Sequence, residues 1–592
     1  MTATKTTLKT KLAAILAAVM IAFGMAFVAG TAWAEGSDVQ TADAVCSVTV
    51  DGNAKHFTTI EDAFESLGTI ADGKEAEINV YKNYTNEALE KTLEIPQGKV
   101  VTLSIDIEVT LNLKKGTSCV LKNSGVLEIS GGTFVGKIEN YNTLNINGGT
   151  YTKTIKNKKT GVLEIYDGQF TDTVSNSSKG TLKIYGGTYT GHPDGGVWTY
   201  TCCISNSGNL EISNSTIGEG DNCADRGIDN TGKVTITDTH ITGDLYAIYS
   251  MWSGGSVHIK GNSSLSSKSD CTIYANKSSV ELSGGTIIND ALDGYGVLVE
   301  GSNVTISSGE INACRGVTLF TYKDIPSKLE MTGGTINSEG IGISGSNPKS
   351  PGTEIAISGG TINSPGGTGV YLPMKCAFTM TGGTITGATG IEAKLGDIII
   401  SGTAKVKGTG NYVPNTEMVI NNQGSNPDGS AILLAPRYYT EKNPDNLNLT
   451  ITGGEISSTK GAAISVYNQK ETPGTHNTVR LENGIYNGKI ASLKYYVKET
   501  KTSPNEEAES NTVDPDVIIN TTGGSYSHDV SNFCDKGHIS IKEGADAKSF
   551  TVVEGKAGSD LEDHIAVAKI GNKYYGSVGA AINALRKPPS KA

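Results

Sequence analysis

The sequence predicts an all-β chain: a right-handed parallel β-helix solenoid with a short N-terminal helical cap. Three observations carry this expectation. Glycine supplies 74 of 592 residues, well above the ordinary share of about 7 per cent, yet proline is only 16. The glycines fall between β-branched and aliphatic runs, which excludes collagen, linker and low-complexity patterns. Apolar residues make up 37% and aromatics 6%, too little for one large globular core. Finally, one short phrase returns along most of the chain at a nearly constant interval, the signature of a stacked array in which each repeat buries its apolar edge against its neighbours.

Taken from the N-terminus, Lys5, Lys9 and Lys11 precede an acid-free apolar run from Leu12 to Val28, and Ala32-Trp33-Ala34 puts small residues at both cleavage-defining positions. Residues 1–34 are therefore expected to be a secretory signal peptide, placing the protein outside the cell. A membrane anchor is the alternative, at the lower edge of spanning length, and no later stretch is apolar enough to span. The chain carries 49 basic and 61 acidic residues, and loss of the three leader lysines takes the net charge from −12 to −15. That balance disfavours nucleic acid and anionic lipid as partners. Nine cysteines without CxxC pairs imply no metal framework. Adjacent Cys202 and Cys203 would be strained as a pair, so buried thiols compete with disulfides.

Residues 35–75 read as an N-terminal strand and capping helix. In FTTIEDAFESL, residues 57 to 67, Ile60, Ala63, Phe64 and Leu67 share one helical face. An open solenoid end exposes core and unpaired backbone, which gives this helix a role as a lid.

Residues 76–555 read as the β-helix. LEISGGTF from Leu127 returns as LNINGGTY from Leu144, LEIYDGQF from Leu163, LKIYGGTY from Leu182, VELSGGTI from Val280, LEMTGGTI from Leu329, IAISGGTI from Ile355, FTMTGGTI from Phe378 and LTITGGEI from Leu449. Its two apolar positions alternate with polar ones, so the aliphatics share one strand face. A second short strand follows in each repeat, for example GIDN at Gly227, AIYS at Ala247 and GVTLF at Gly316. Two or three strands per turn describe a β-helix coil, and parallel crossovers favour the right hand. Asn123, Asn140, Asn157, Asn176, Asn206, Asn230 and Asn276 fall at one bend, where stacked carboxamides can bond along a column and asparagine tolerates left-handed geometry. The long interval between Ile398 and Leu449 predicts one hidden, degenerate copy.

Residues 556–592 form a cap-like element: KIGNKYYGSVGAAINAL from Lys569 matches TVDGNAKHFTTIEDAFESL from Thr49. It serves either as a terminal cap or as the start of a truncated second module. No LPxTG-type sorting signal accompanies it.

These residues resemble the right-handed parallel β-helix, pectin-lyase-like repeat proteins, especially the glycine-rich cell-surface and adhesin-like members exported by Gram-positive bacteria. The resemblance covers about residues 45–550 and implies the fold more than an activity, because the fold carries both polysaccharide-cleaving enzymes and inert stalks. Enzymes of the group use Asp or Glu, often with calcium, plus an Arg or Lys base, or paired Asp residues. The polygalacturonase-like signatures NTD, DD, GHG and RIK are missing from this chain.

The best remaining catalytic constellation is Arg226 with Asp238, His240 and Asp244. Asp221, Asp225 and Asp229 are the candidate calcium ligands, although the leading reading requires no cofactor. The plainer reading of this stretch is a solvated loop with Asp at its turns. The same region concentrates aromatics: Trp198, Tyr200, Tyr246, Tyr249, Trp252 and Tyr274 are candidate ligand-binding residues, since flat rings along a β-helix can receive sugar rings. The plainer reading is an aromatic ladder that covers the sheet. Residues 194–275 also lengthen their coils, as binding faces of solenoids do. A second lengthened region, 405–448, contributes Tyr412, Arg437, Tyr438 and Tyr439. The leading expectation is a secreted or cell-surface, non-catalytic, adhesin-like binder of glycan or of a host or bacterial surface protein. The alternatives are a polysaccharide lyase or glycoside hydrolase acting near residues 194–275, and a structural stalk.

Overall fold

The computed structural model describes residues 43–116, 118–192, 200–219, 224–346, 352–373, 375–413, 424–435, 447–468, 478–494, 518–542, 548–554, 568–570, 573–575, 582 and 585. The leader, Trp198, Asp221, Arg437, Tyr438 and Tyr439 lie outside them. The described strands build a parallel β-helix with three strands per coil. One stack runs from Glu75–Val80 through Val100–Ile105, Val126–Ser130 and onward to Ile518–Thr521. A second runs from Leu93–Ile95 through Leu121–Asn123 and Arg226–Asn230 to Ile485–Lys494. The third runs from Tyr84–Asn86 through Thr110–Leu113 and Thr133–Val135 to Ser525–Tyr526.

The repeated phrase spans the turn from the first stack to the third. Its two aliphatics pair in register down the first stack, as in Leu144↔Leu163 and Ile146↔Ile165, and both are buried to 0–2% exposure in each copy from Leu127 to Ile451. Its second glycine makes the corner. Gly360 sits at φ +85°, and a Cβ there would lie 2.5 Å from the Met331 side chain and 2.7 Å from the Gly333 carbonyl oxygen. Only glycine meets both demands. The residue after GGT enters the core of the third stack, where Phe134, Tyr151, Phe170 and Tyr189 form a buried ring column. Tyr151 stacks on Phe170 at 5.1 Å and Phe170 on Tyr189 at 4.6 Å between ring centroids.

The asparagine ladder exists over six of its seven predicted rungs. Nδ2 of Asn123 donates to Oδ1 of Asn140 at 2.8 Å, and the relay continues through Asn157, Asn176 and Asn206 to Asn230. Asn230 then donates to Ser250, which exchanges a hydrogen bond with Ser278. Asn276 is not a rung: it pairs with Met251, one place past the ladder register, and donates to Glu300. The hidden copy between Ile398 and Leu449 does not exist either, because these two residues are direct register partners. The extra residues instead leave one coil between the strands Lys405–Gly408 and Ile432–Leu434, and again before Leu447–Ile451.

The helix Ile60–Ser66 begins at Thr59, whose side chain accepts from the Asp62 amide, and buries Ile60, Ala63 and Phe64. It sits beside an antiparallel hairpin, Cys46–Val50 with Asn53–Phe57, that adds onto the first coil strand Glu75–Val80. At the other end the pairing again turns antiparallel: Phe550–Glu554 pairs with both Ser525–Tyr526 and His538–Lys542. The element matched to the N-terminal hairpin also forms an antiparallel hairpin, Ala568–Ile570 with Lys573–Tyr575.

Candidate functional site

The second stack carries the aromatic residues on its outer face, and a local irregularity sets their spacing. In Arg226–Asn230 the buried pair Gly227 and Ile228 is flanked by outward Arg226 and Asp229, and the next coil repeats this with Ala247 and Ile248 between Tyr246 and Tyr249. Two outward columns therefore run along the helix axis, three residues apart in each strand. One contains Cys202, Arg226 and Tyr246, the other Ser205, Asp229, Tyr249 and Tyr274.

These side chains assemble into a stack. The Arg226 guanidinium lies 4.4 Å from the Tyr200 ring centre and 3.7 Å from that of Tyr249. Tyr249 in turn stacks on Tyr274 at 5.0 Å with 17° between ring planes, and Tyr246 meets both at a tilt. Cation–π contacts contribute about 0.5–2 kcal/mol each and ring pairs about 0.5–1.5 kcal/mol. Asp229 pairs with Arg226 at 2.5 Å, while the Arg226 Nε, buried, has no hydrogen-bond acceptor among the described residues. Tyr246 donates to Asp270 at 2.9 Å. Burial raises the Tyr274 phenol to about 12, and burial likewise raises Tyr249 against the opposing pull of Arg226. All three inner phenols are hydrogen-bond donors at neutral pH.

Both faces of Tyr249 are occupied, by Arg226 and Tyr274, so an incoming ring cannot stack there. Two rings of this region remain exposed. Tyr200 is 63% exposed and Trp252 60%. Trp252 sits at φ +79°, a conformation that L side chains rarely adopt, in the strand segment where the ladder register shifts between Met251 and Gly255.

The acidic candidates do not join this stack as one centre. Asp225 accepts from the amide and hydroxyl of Thr201 at 2.8 and 3.2 Å, and Asp229 is held by Arg226, so both are committed to protein donors. Asp238 occupies a turn at φ +48° and accepts from the Asn262 amide. His240 begins a third-stack strand and contacts Thr242 at 3.2 Å. Asp244 lies at the corner before Tyr246, its amide donating to the Ala224 carbonyl. Arg226 thus lies on a different face from Asp238 and His240. Among the described residues no group of three or more His, Cys, Asp or Glu side chains is placed to hold a metal ion. Cys46, Cys119, Cys202, Cys271, Cys314 and Cys376 are free thiols, and burial raises Cys202 to about 11, which keeps it protonated at neutral pH.

The structure extends the face with residues that sequence reasoning passed over. Four coils on from Arg226, Arg315 donates to the Tyr295 hydroxyl at 2.8 Å and lies over its ring. The signal was present in the register, since Cys271, Tyr295 and Arg315 continue the Arg226 column. Lys277 lies over both Trp252 and Tyr322. An open groove of about 520 Å³ borders Arg315 through its neighbour Cys314 and is lined by Asn312, Asn337, Glu339 and Asn363. In the second lengthened region, Tyr412 reaches Ser465 at 3.4 Å, and residues 424–430 cover an acidic and a basic group, Glu392 and Lys394, that are 0% and 1% exposed.

No protein family, curated protein or solved structure matches the chain.

Proposed function

We propose that the chain is an exported, pectin-lyase-like β-helix protein that binds glycan without cleaving it, through the outer face of its second stack between Tyr200 and Tyr274. The observation that carries this reading is the Tyr200–Arg226–Tyr249–Tyr274 stack, with Tyr200 exposed at one end. Trp252 is the second exposed ring of the region, with the Lys277 amine over it. Apolar ring contact with a few convergent polar groups is the usual composition of a sugar site. An open asparagine-lined groove lies on the adjacent third-stack face and borders the second stack at Cys314.

Catalysis by Arg226 fits this geometry poorly. Its guanidinium is paired with Asp229 and enclosed between the Tyr200 and Tyr249 rings, which leaves it no approach to a sugar carbon. The test is a glycan array followed by calorimetry on the best binder. Binding that falls at least tenfold in Trp252→Ala and Tyr200→Ala, with no unsaturated or reducing ends released, supports the proposal. Release of such ends that disappears in Arg226→Ala would replace it with a lyase or hydrolase. Failure to bind any glycan would leave a protein ligand or a stalk.

A further inference from the structure

The outer face of the second stack, half-buried around Tyr249, is closed over from the fifth coil further on. There Tyr371, Glu392, Leu433 and Ser465 succeed one another in the same column, and each is at most 4% exposed. The cover is the segment that returns from the long insertion, residues 424–430. It is fixed by Ser425 and the Asn426 amide, which donate to Oε2 of Glu392 at 2.5 and 2.9 Å. On the other side, the Lys394 amine donates to the Gly424 carbonyl oxygen at 2.8 Å. The carboxamide of Asn426 donates to that same oxygen at 3.3 Å, so amine and carboxamide converge on one atom. Oε1 of Glu392 makes no hydrogen bond among the described residues and faces the Lys394 amine at 3.6 Å.

We propose that Lys394 and Asn426 form an intramolecular isopeptide bond, with Glu392 as the proton carrier. The Lys394 ammonium gives one proton to Oε1 of Glu392, and the resulting amine attacks Cγ of Asn426. The tetrahedral intermediate collapses with cleavage of the Cγ–Nδ2 bond. Glu392 returns its proton to the departing nitrogen, and the ammonia leaves to be protonated in solvent by the second ammonium proton of the lysine. The products are one secondary amide and one ammonium ion, with no oxidant or cofactor involved. The site suits this chemistry physically. Burial penalises both charges of the Lys394–Glu392 pair, so transfer to the neutral amine and neutral acid is less costly there than in water. Burial raises the Glu392 carboxyl, with the adjacent Lys394 acting in the opposite direction. The residue after Asn426 is Pro427, which has no backbone N–H, so the ordinary ring closure that expels ammonia from asparagine is closed off. The resulting tie would fasten the insertion to the coil Thr384–Ala393 and hold the cover over the column.

Intact-mass measurement on the purified full chain tests the proposal. The expected species is lighter by one ammonia, and proteolysis should yield a branched peptide whose fragments join Lys394 to Asn426. Asn426→Ala, at a half-buried position, and Glu392→Gln should each restore the full mass and separate the two peptides while the circular dichroism stays that of a β-helix. An unshifted mass in the folded wild type would overturn the assignment. So would ammonia loss that survives in Asn426→Ala, or loss of water with a branch at Asp428.

Discussion

At the scale of single residues, the fold depends on positions whose chemistry is used along the stack axis. Asn157 donates to the Gly161 carbonyl, the Asn176 carboxamide and the Thr181 carbonyl, and accepts from Asn140. Asn157→Ala leaves buried donors and acceptors on both neighbouring rungs without partners, an expected loss of about 1–3 kcal/mol. Exposed Asn142, whose side chain makes one long bond to Ser124, should lose no more than about 0.5 kcal/mol on the same change, and urea midpoints would separate the two. Glycines allow an equally direct comparison. Gly73 and Gly360 have φ of +80° and +85°, but a Cβ at Gly73 meets nothing within 4 Å whereas one at Gly360 meets Met331 and Gly333. Both alanine variants pay the left-handed penalty of about 1–2 kcal/mol, and only Gly360→Ala adds a backbone clash. Equal destabilisation of the two would show that the corner can relax. Legibility in the sequence follows the same distinction. The ladder was readable because Asn recurs at the bend, but Asn276 reads identically while standing one register place off. Glu392 and Lys394 read as ordinary surface charge, since the segment that buries them lies some thirty residues later in the chain.

At the scale of elements, the third stack stores its core in the ring column Phe134, Tyr151, Phe170 and Tyr189, with a second pair, Tyr486 and Tyr526, stacked at 4.6 Å near the far end. This column was visible in the aromatic that follows GGT or DGQ in four consecutive repeats, and its end was visible in the switch to isoleucine. Burial raises the phenols of Tyr151, Tyr189 and Tyr486 above the ordinary value. The sign of the linkage follows. The folded state keeps these phenols neutral while those of the unfolded chain ionise near the ordinary tyrosine value of about 10. Their contribution is therefore complete below that pH and is lost as pH rises toward the folded values. Thermal melts should hold a plateau through neutrality and fall steeply above about pH 10. Tyr151→Phe with Tyr189→Phe should flatten that fall, at the cost at neutral pH of the hydroxyl bonds to Gly148 and Gly186. An alkaline limb unchanged in the double variant would assign it to other groups. The aromatic face proposed to bind glycan has the opposite logic. Its rings were legible as a cluster, but which ring faces stay open depends on the stacking of Arg226 between Tyr200 and Tyr249, and no spacing rule announces that.

At the scale of the molecule, each coil contacts little beyond the coils before and after it, so stability is expected to be local and additive along the axis. The first coil is the informative place to test this, because its end is closed by the hairpin and by the helix that buries Ile60, Ala63 and Phe64. Phe64→Ala removes a 5%-exposed ring at an expected cost of about 3–5 kcal/mol, enough to open the cap without touching any coil strand. In a nearest-neighbour array the opening should propagate inward with decreasing probability. Amides of Glu75–Val80 and Val100–Ile105 should lose most of their hydrogen-exchange protection, those of Val126–Ser130 less, and those beyond Arg226 none. The tied insertion at Lys394 supplies an internal reference, because the coils around Thr384–Ala393 should exchange at the wild-type rate in the variant. Uniform loss of protection from Glu75 to Tyr526 would mean that the coils unfold as one cooperative body. The stack axis would then transmit a lesion at one end to the proposed binding face near Tyr249, and any glycan affinity measured there would fall in Phe64→Ala together with the amide protection. Local opening predicts the contrary result, with a frayed N-terminal end and an unaltered affinity at the Tyr200–Tyr274 face.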